Sequence, residues 1–199
     1  MPDAPAMADG HLSESHLART LGLDAGETAV LGKLFGAATA ALGIEGGPIF
    51  ERLSKGETLG GALALPAGTD EVLYARAHRW FAAGRPERAE PLFQALCLLD
   101  GTSADYWIGY GVCLKLRGAF TEAAMAFEIA GRLRPDWAMP DFHTLEIALR
   151  TGDFTAAAEH LKNFDAHAGA GDIPDAVRAE VSRWRVALEM RARRAGSSA

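Results

Sequence analysis

Small and large residues alternate at fixed offsets between Leu114 and Pro135: Gly118, Phe120, Ala123, Phe127, Ala130, Pro135. The same spelling recurs 34 residues to either side. Gly84, Gly118 and Gly152 correspond, and so do Ala89, Ala123 and Ala157. The large places hold Pro86, Phe120 and Phe154, then Phe93, Phe127 and Leu161. The three in-phase segments, GRPERAEPLF, GAFTEAAMAF and GDFTAAAEHL, set out units over 70–103, 104–137 and 138–171.

A period of 34 with this alternation is that of the tetratricopeptide repeat, two antiparallel helices joined by a short turn. The expected fold class is therefore all-α, three tandem helix-turn-helix repeats in a solenoid. Glycine suits the turn because it takes positive φ without steric cost. Ala89, Ala123 and Ala157 fall where the two helices of a unit approach, with Ala77 and Gly111 as small partners on the first helix. Phe93 and Phe127 are placed to fill the space between neighbouring units. Pro135 ends the second unit because it cannot continue a helix. One pair cannot bury its apolar face alone, so the units must stack.

The flanks are helical in pattern too. Beyond a Gly-rich turn, Pro174 is placed to open a helix in which Val177, Val181, Trp184 and Leu188 share one face. The segment 172–194 is expected to cap the stack, its arginines forming a solvated face, with 195–199 as a flexible tail. Upstream, 11–69 reads as an N-terminal helical extension, with apolar helical spacing over 12–21 and 26–43. A break at Gly46-Gly47-Pro48 follows, then two short helices around a turn at Gly56. Few polar residues fall between 29 and 44, so that helix is expected to bury itself against the stack or a second subunit. Residues 1–10 are expected to be disordered.

Composition narrows the function. The chain has 199 residues, 49% of them hydrophobic, a net charge of −6 and a pI near 5.5. An acidic balance argues against a nucleic-acid binder, whose footprint is basic. Cys97 and Cys113 lie in apolar surroundings at no metal or redox spacing, as buried thiols in a reducing compartment do. The start, MPDAPAMADG, lacks the basic and apolar regions of a signal peptide, and no apolar window is long enough to span a bilayer. A cytoplasmic protein is expected. No GxSxG, HExxH, CxxC or phosphate-binding glycine fingerprint is present. His78, His143, His160 and His167 complete no ligand or acid–base pattern. The expectation is a binding protein, not an enzyme, with no cofactor and no metal.

In this repeat the first helix of each unit lines the inner face, chiefly through positions 2, 5, 9 and 12. Those places hold Tyr74, His78 and Phe81 in the first unit and Ile108, Val112 and Lys115 in the second. In the third they hold Met139, Phe142, Glu146 and Leu149. An apolar and aromatic inner face is a candidate groove for an extended peptide. A clamp for acidic C-terminal tails would need several Lys and Asn residues here, and only Lys115 qualifies.

The stretch LYARAHRWFAAGRPERAEPLFQALCLLD, Leu73–Asp100, resembles the first repeat of the class II chaperones of bacterial type III secretion systems. YWIGYGVC, PDFHT and the upstream LSKGETLGGALALP resemble further elements of that family, so the likeness covers about residues 49–165. The resemblance implies a small acidic cytoplasmic chaperone. Such a chaperone keeps hydrophobic translocator proteins soluble and export-competent by holding an extended, proline-containing segment in the concave groove. Family groove positions fall on Tyr74, His78, Phe81 and Ile108. His78 stands where an aromatic is common, and the region before Ile49 is longer than usual. The resemblance also implies a homodimer formed through the N-terminal helices, and no nucleic acid or direct membrane insertion. A general tetratricopeptide adaptor or scaffold is the alternative reading.

Overall fold

The computed structural model describes residues 15–169 and 173–196. The segment 1–10 and the last three residues of the expected tail lie outside them. Every regular element among the described residues is helical. The chain divides into two compact units, Met1–Pro66 and Ala67–Ala199.

In the first unit, α1 (His16–Leu21) is capped by the Ser15 hydroxyl and ends at Gly22 in the left-handed region. Helix α2 (Ala25–Ala40) opens with a capping box. The Asp24 carboxylate accepts from the Glu27 amide and Glu27 accepts from the Asp24 amide. Such a box satisfies two otherwise orphaned helix-end donors. The helix stops three residues short of the expected 43, in a turn where Gly43 takes φ 74°. Helix α3 (Gly46–Ser54) begins on the glycines expected to break the chain. Pro48 sits in its first turn, where a missing N–H costs nothing. Gly46 has no room for a side chain because Thr39 fills that space, and Phe35 meets Phe50 with ring centroids 5.8 Å apart. Helix α4 (Leu59–Ala62) is a single turn capped by Thr58.

The second unit holds three helix pairs: α5 (Thr69–Ala82) with α6 (Pro86–Leu99), α7 (Ala104–Leu116) with α8 (Phe120–Leu133), and α9 (Met139–Thr151) with α10 (Phe154–His167). Each turn carries one of the in-phase glycines, Gly84, Gly118 and Gly152, at φ 71°, 85° and 78°. A residue with a Cβ would be strained there. Ala77, Ala89, Ala123 and Ala157 are fully buried, so the pairs close as the small residues require. Phe127 lies against Gly111 within its own pair, while Phe93 reaches from α6 onto Gly109 of the next pair. These rings, both essentially without exposed surface, anchor two buried clusters, one reaching Cys113 of α7 and one reaching Ile147 of α9.

Helix α11 (Asp175–Gly196) closes the stack, running two residues beyond the expected end because RARRA contains no breaker before Gly196. Val177, Val181, Trp184 and Leu188 pack against α9 and α10 residues, among them Phe142, Leu145 and Phe164. Its arginines are not simply a solvated face. Arg185 makes a two-pronged ion pair with Asp165, and the Arg191 guanidinium lies 3.7 Å from the centre of the Phe154 ring. Their aliphatic stems and planar heads bring charge and packing to one seam.

Candidate peptide-binding groove

The inner positions of α5 form an aromatic cluster. Tyr74 lies half-buried with its ring 4.4 Å from His78, 6.1 Å from Phe93 and 5.4 Å from Tyr106. His78 is exposed and meets Phe93 edge-on at 5.6 Å. Edge-on contacts place the positive ring edge against the partner's negative face. Phe81 is half-buried one turn further along, against the core around Ala77, Ala89 and Phe93. Burial, reinforced by the charge of Asp105, raises the Tyr74 hydroxyl above the usual tyrosine range, so it stays a neutral donor. Ile108 and Val112 continue the surface onto α7, half-buried against Leu114 and Phe127. Sequence reasoning missed Tyr106, which packs on Tyr74 from the next pair and also approaches Asp70 at 3.5 Å. The aromatic run Tyr106-Trp107-Ile108-Gly109-Tyr110 was its only sequence signal.

Lys115 does not present a free charge, which corrects the expectation from sequence. It is 6% exposed. Its ammonium pairs with the Glu146 carboxylate and donates to Nδ1 of His143 at 3.1 Å. An ammonium has only donors, so Nδ1 must be the acceptor nitrogen of a neutral imidazole. Burial, then the Lys115 charge, push His143 down to about 3. The His143 ring stacks on Phe127 at 4.9 Å and meets Phe142 at 5.0 Å. Arg150 approaches the other Glu146 oxygen at 3.7 Å. The corrected reading is an ionic cluster joining α7 to α9, because burying a lysine requires a partner.

Phe142 is likewise less open than expected: Trp184 of α11 stacks on it at 5.3 Å. Met139 and Leu149 are half-buried. Tyr74, His78 and Phe81 thus sit around one buried cluster, and Ile108 and Val112 around the next. Phe142 lies at the end closed by α11, beside His143 of the Lys115 cluster.

A separate groove of about 980 Å³ opens between α8 and α10 over α9, lined by Met125, Phe127, Asp141, Ile147, Ala148 and His160 among others. None of the inner-face residues expected from the sequence lines it. Asp141 sits there between His167 at 2.8 Å and His160 at 3.9 Å. No group of three or more metal-ligating side chains with metal-binding geometry occurs among the described residues. None of the described helices is long and apolar enough to cross a membrane. Both thiols are buried and pushed up to about 12 by desolvation, as inert core cysteines are.

No family model matches the chain. Among curated proteins, it is 30% identical over 96 residues to the chaperone protein SicA of Salmonella typhimurium, covering 48% of this chain and 58% of SicA. It is 28% identical over 109 residues to the low calcium response locus protein H of Yersinia pestis, covering 55% of this chain and 65% of the relative. The chain thus spans less than two thirds of the length of the curated relatives it matches. Among solved structures, PcrH of Pseudomonas aeruginosa in complex with the chaperone-binding region of PopD superposes with a TM-score of 0.60 at 29% identity. That match covers 64% of this chain and 96% of PcrH.

Proposed function

We propose that this chain, a homologue of the class II translocator chaperones of type III secretion systems, binds an extended segment of a hydrophobic translocator along the inner face of its repeats. It acts in the bacterial cytoplasm as a binding protein without catalysis, keeping the client soluble until export. The observation that carries this reading is the likeness over nearly the whole of PcrH, a protein solved with a client segment bound, together with the half-open surface of Tyr74, His78, Phe81, Ile108 and Val112. The physics supports it. A segment pre-set by proline loses little ordering entropy on binding, and apolar anchors in half-formed pockets supply affinity. Burying one Leu or Val anchor contributes about 1.5–3 kcal/mol.

The chain also pairs with a second copy through α2. This helix has no buried residue, and Val30 and Leu34 lie 56% and 63% exposed one turn apart. Apolar surface of that kind is stabilised by self-association.

The test is co-expression with a hydrophobic translocator from the same locus, comparing wild type with Tyr74→Ala/Phe81→Ala after circular dichroism shows both to be folded. The reading expects client recovered soluble with wild type and lost from the double variant. Equal recovery would remove the groove from the proposal. Failure of wild type to hold any such client would favour a general tetratricopeptide adaptor.

A further inference from the structure

The two junctions between successive repeats present the same structural positions with opposite chemistry. At the first, these positions hold Phe81 of α5 and Val112 and Leu116 of α7. At the second, 34 residues on, the corresponding residues are Lys115 of α7 and Glu146 and Arg150 of α9. An all-apolar set becomes an all-charged one. The structure shows the charged set assembled, with Lys115 buried against Glu146 and His143 and with Arg150 beside Glu146. Two cations share one carboxylate, and the neighbouring imidazole is neutral. Arg150 is 53% exposed at its side chain, with its guanidinium over the Phe120 ring at 5.8 Å. Its charge is therefore only partly spent on Glu146.

We infer that the second junction is a polar recognition slot, in which the surplus positive charge of Lys115 and Arg150 receives an acidic side chain of the client segment. This rests on the proposed groove and deepens it. The first junction takes an apolar anchor and the second takes a carboxylate. Packed helices lie about 8–10 Å apart and an extended chain advances about 3.3 Å per residue, so the two client residues are separated by about three positions. A protein of net charge −6 repels acidic peptides at long range, so a local preference for Asp has to come from a local cation. Lys115 is held rigid by its partners and sets the field, while Arg150 makes the contact, since a guanidinium can offer a carboxylate two parallel donors.

The probe is a synthetic peptide of the PopD chaperone-binding region, scanned by replacing each position in turn with Asp and with Lys. Affinities are measured by fluorescence anisotropy on the full chain. The expected result is one register, about three residues from an apolar anchor, where Asp binds about 5-fold tighter than Lys. That difference shrinks below about 2-fold in Arg150→Ala, an exposed change that leaves the core intact, and fades as salt is raised. The charge-neutral Lys115→Met/Glu146→Gln, checked for folding, keeps the preference, because Arg150 retains its charge and loses its competing carboxylate. If wild type binds, Tyr74→Ala abolishes binding and no register prefers Asp, the slot is refuted and the groove stands. A preference that survives Arg150→Ala also refutes the slot. If wild type binds none of the peptides, the groove reading falls and the slot falls with it.

Discussion

The ring of Phe93 on α6 occupies the space that a side chain on Gly109 of α7 would need. A Cβ at Gly109 would stand 2.7 Å from the ring's Cδ1 and Cζ atoms. This contact joins the first helix pair to the second. Gly109→Val should therefore destabilise the protein by about 1–3 kcal/mol through overpacking, read as a lower midpoint in urea. Gly36→Ala is the control: a Cβ there meets nothing within 4 Å, and the change should be neutral or stabilising. Wild-type stability of Gly109→Val would show that the junction has slack.

Phe127 has no exposed surface and packs on both Gly111 and His143. Phe127→Ala should cost about 3–5 kcal/mol, the transfer of a buried ring plus the cavity it leaves. Equilibrium denaturation measures it, and a loss below about 1 kcal/mol would mean the stack collapses to fill the gap.

Removing one partner of the Lys115–Glu146 pair differs from removing both. Lys115→Met alone leaves a largely buried carboxylate without its main partner and should cost about 3 kcal/mol. Lys115→Met/Glu146→Leu should recover most of that loss, because an apolar pair at this junction reproduces the chemistry of Phe81 and Val112. A double variant as unstable as the single would show that packing, not charge, governs the site.

His143 gives stability a defined pH dependence. Its folded value, about 3, lies below the ordinary histidine value of 6.5, so the unfolded chain binds the extra proton first. Stability from this residue is therefore complete above about pH 6.5 and falls as the pH drops toward 3. Well below pH 6.5 the slope approaches about 1.4 kcal/mol per pH unit for one proton. Denaturation of wild type and His143→Gln at pH 5 and pH 7 should show the smaller difference in the variant. Equal slopes would mean that His143 titrates normally in the fold.

The apolar face of α2 predicts an oligomer. Val30→Glu/Leu34→Glu should shift the sedimentation coefficient from dimer to monomer without changing helix content. A wild-type chain that sediments as a monomer at micromolar concentration would overturn the α2 pairing.

Much of the repeat unit was legible because its contacts are local and recur in register. Glycine at φ above 70° in each turn, alanine between paired helices and phenylalanine between units each leave a mark at a fixed offset. The exposure of the inner-face residues was legible only in part. Tyr74, Phe81, Ile108 and Val112 follow from position in the repeat. The fate of Lys115 depended on Glu146, 31 residues away, and the covering of Phe142 depended on Trp184, 42 residues away.

By itself the sequence determined an all-α repeat with three helix pairs, where each pair turns and which residues must be small. Those features answer to backbone geometry and close packing within one period. Only the tertiary structure decided which inner-face residues remain open, that the second junction is ionic, and that the α11 arginines stitch α11 to α10. Burial and charge pairing depend on what distant chain is brought alongside, and a repeat register records position without recording the neighbour.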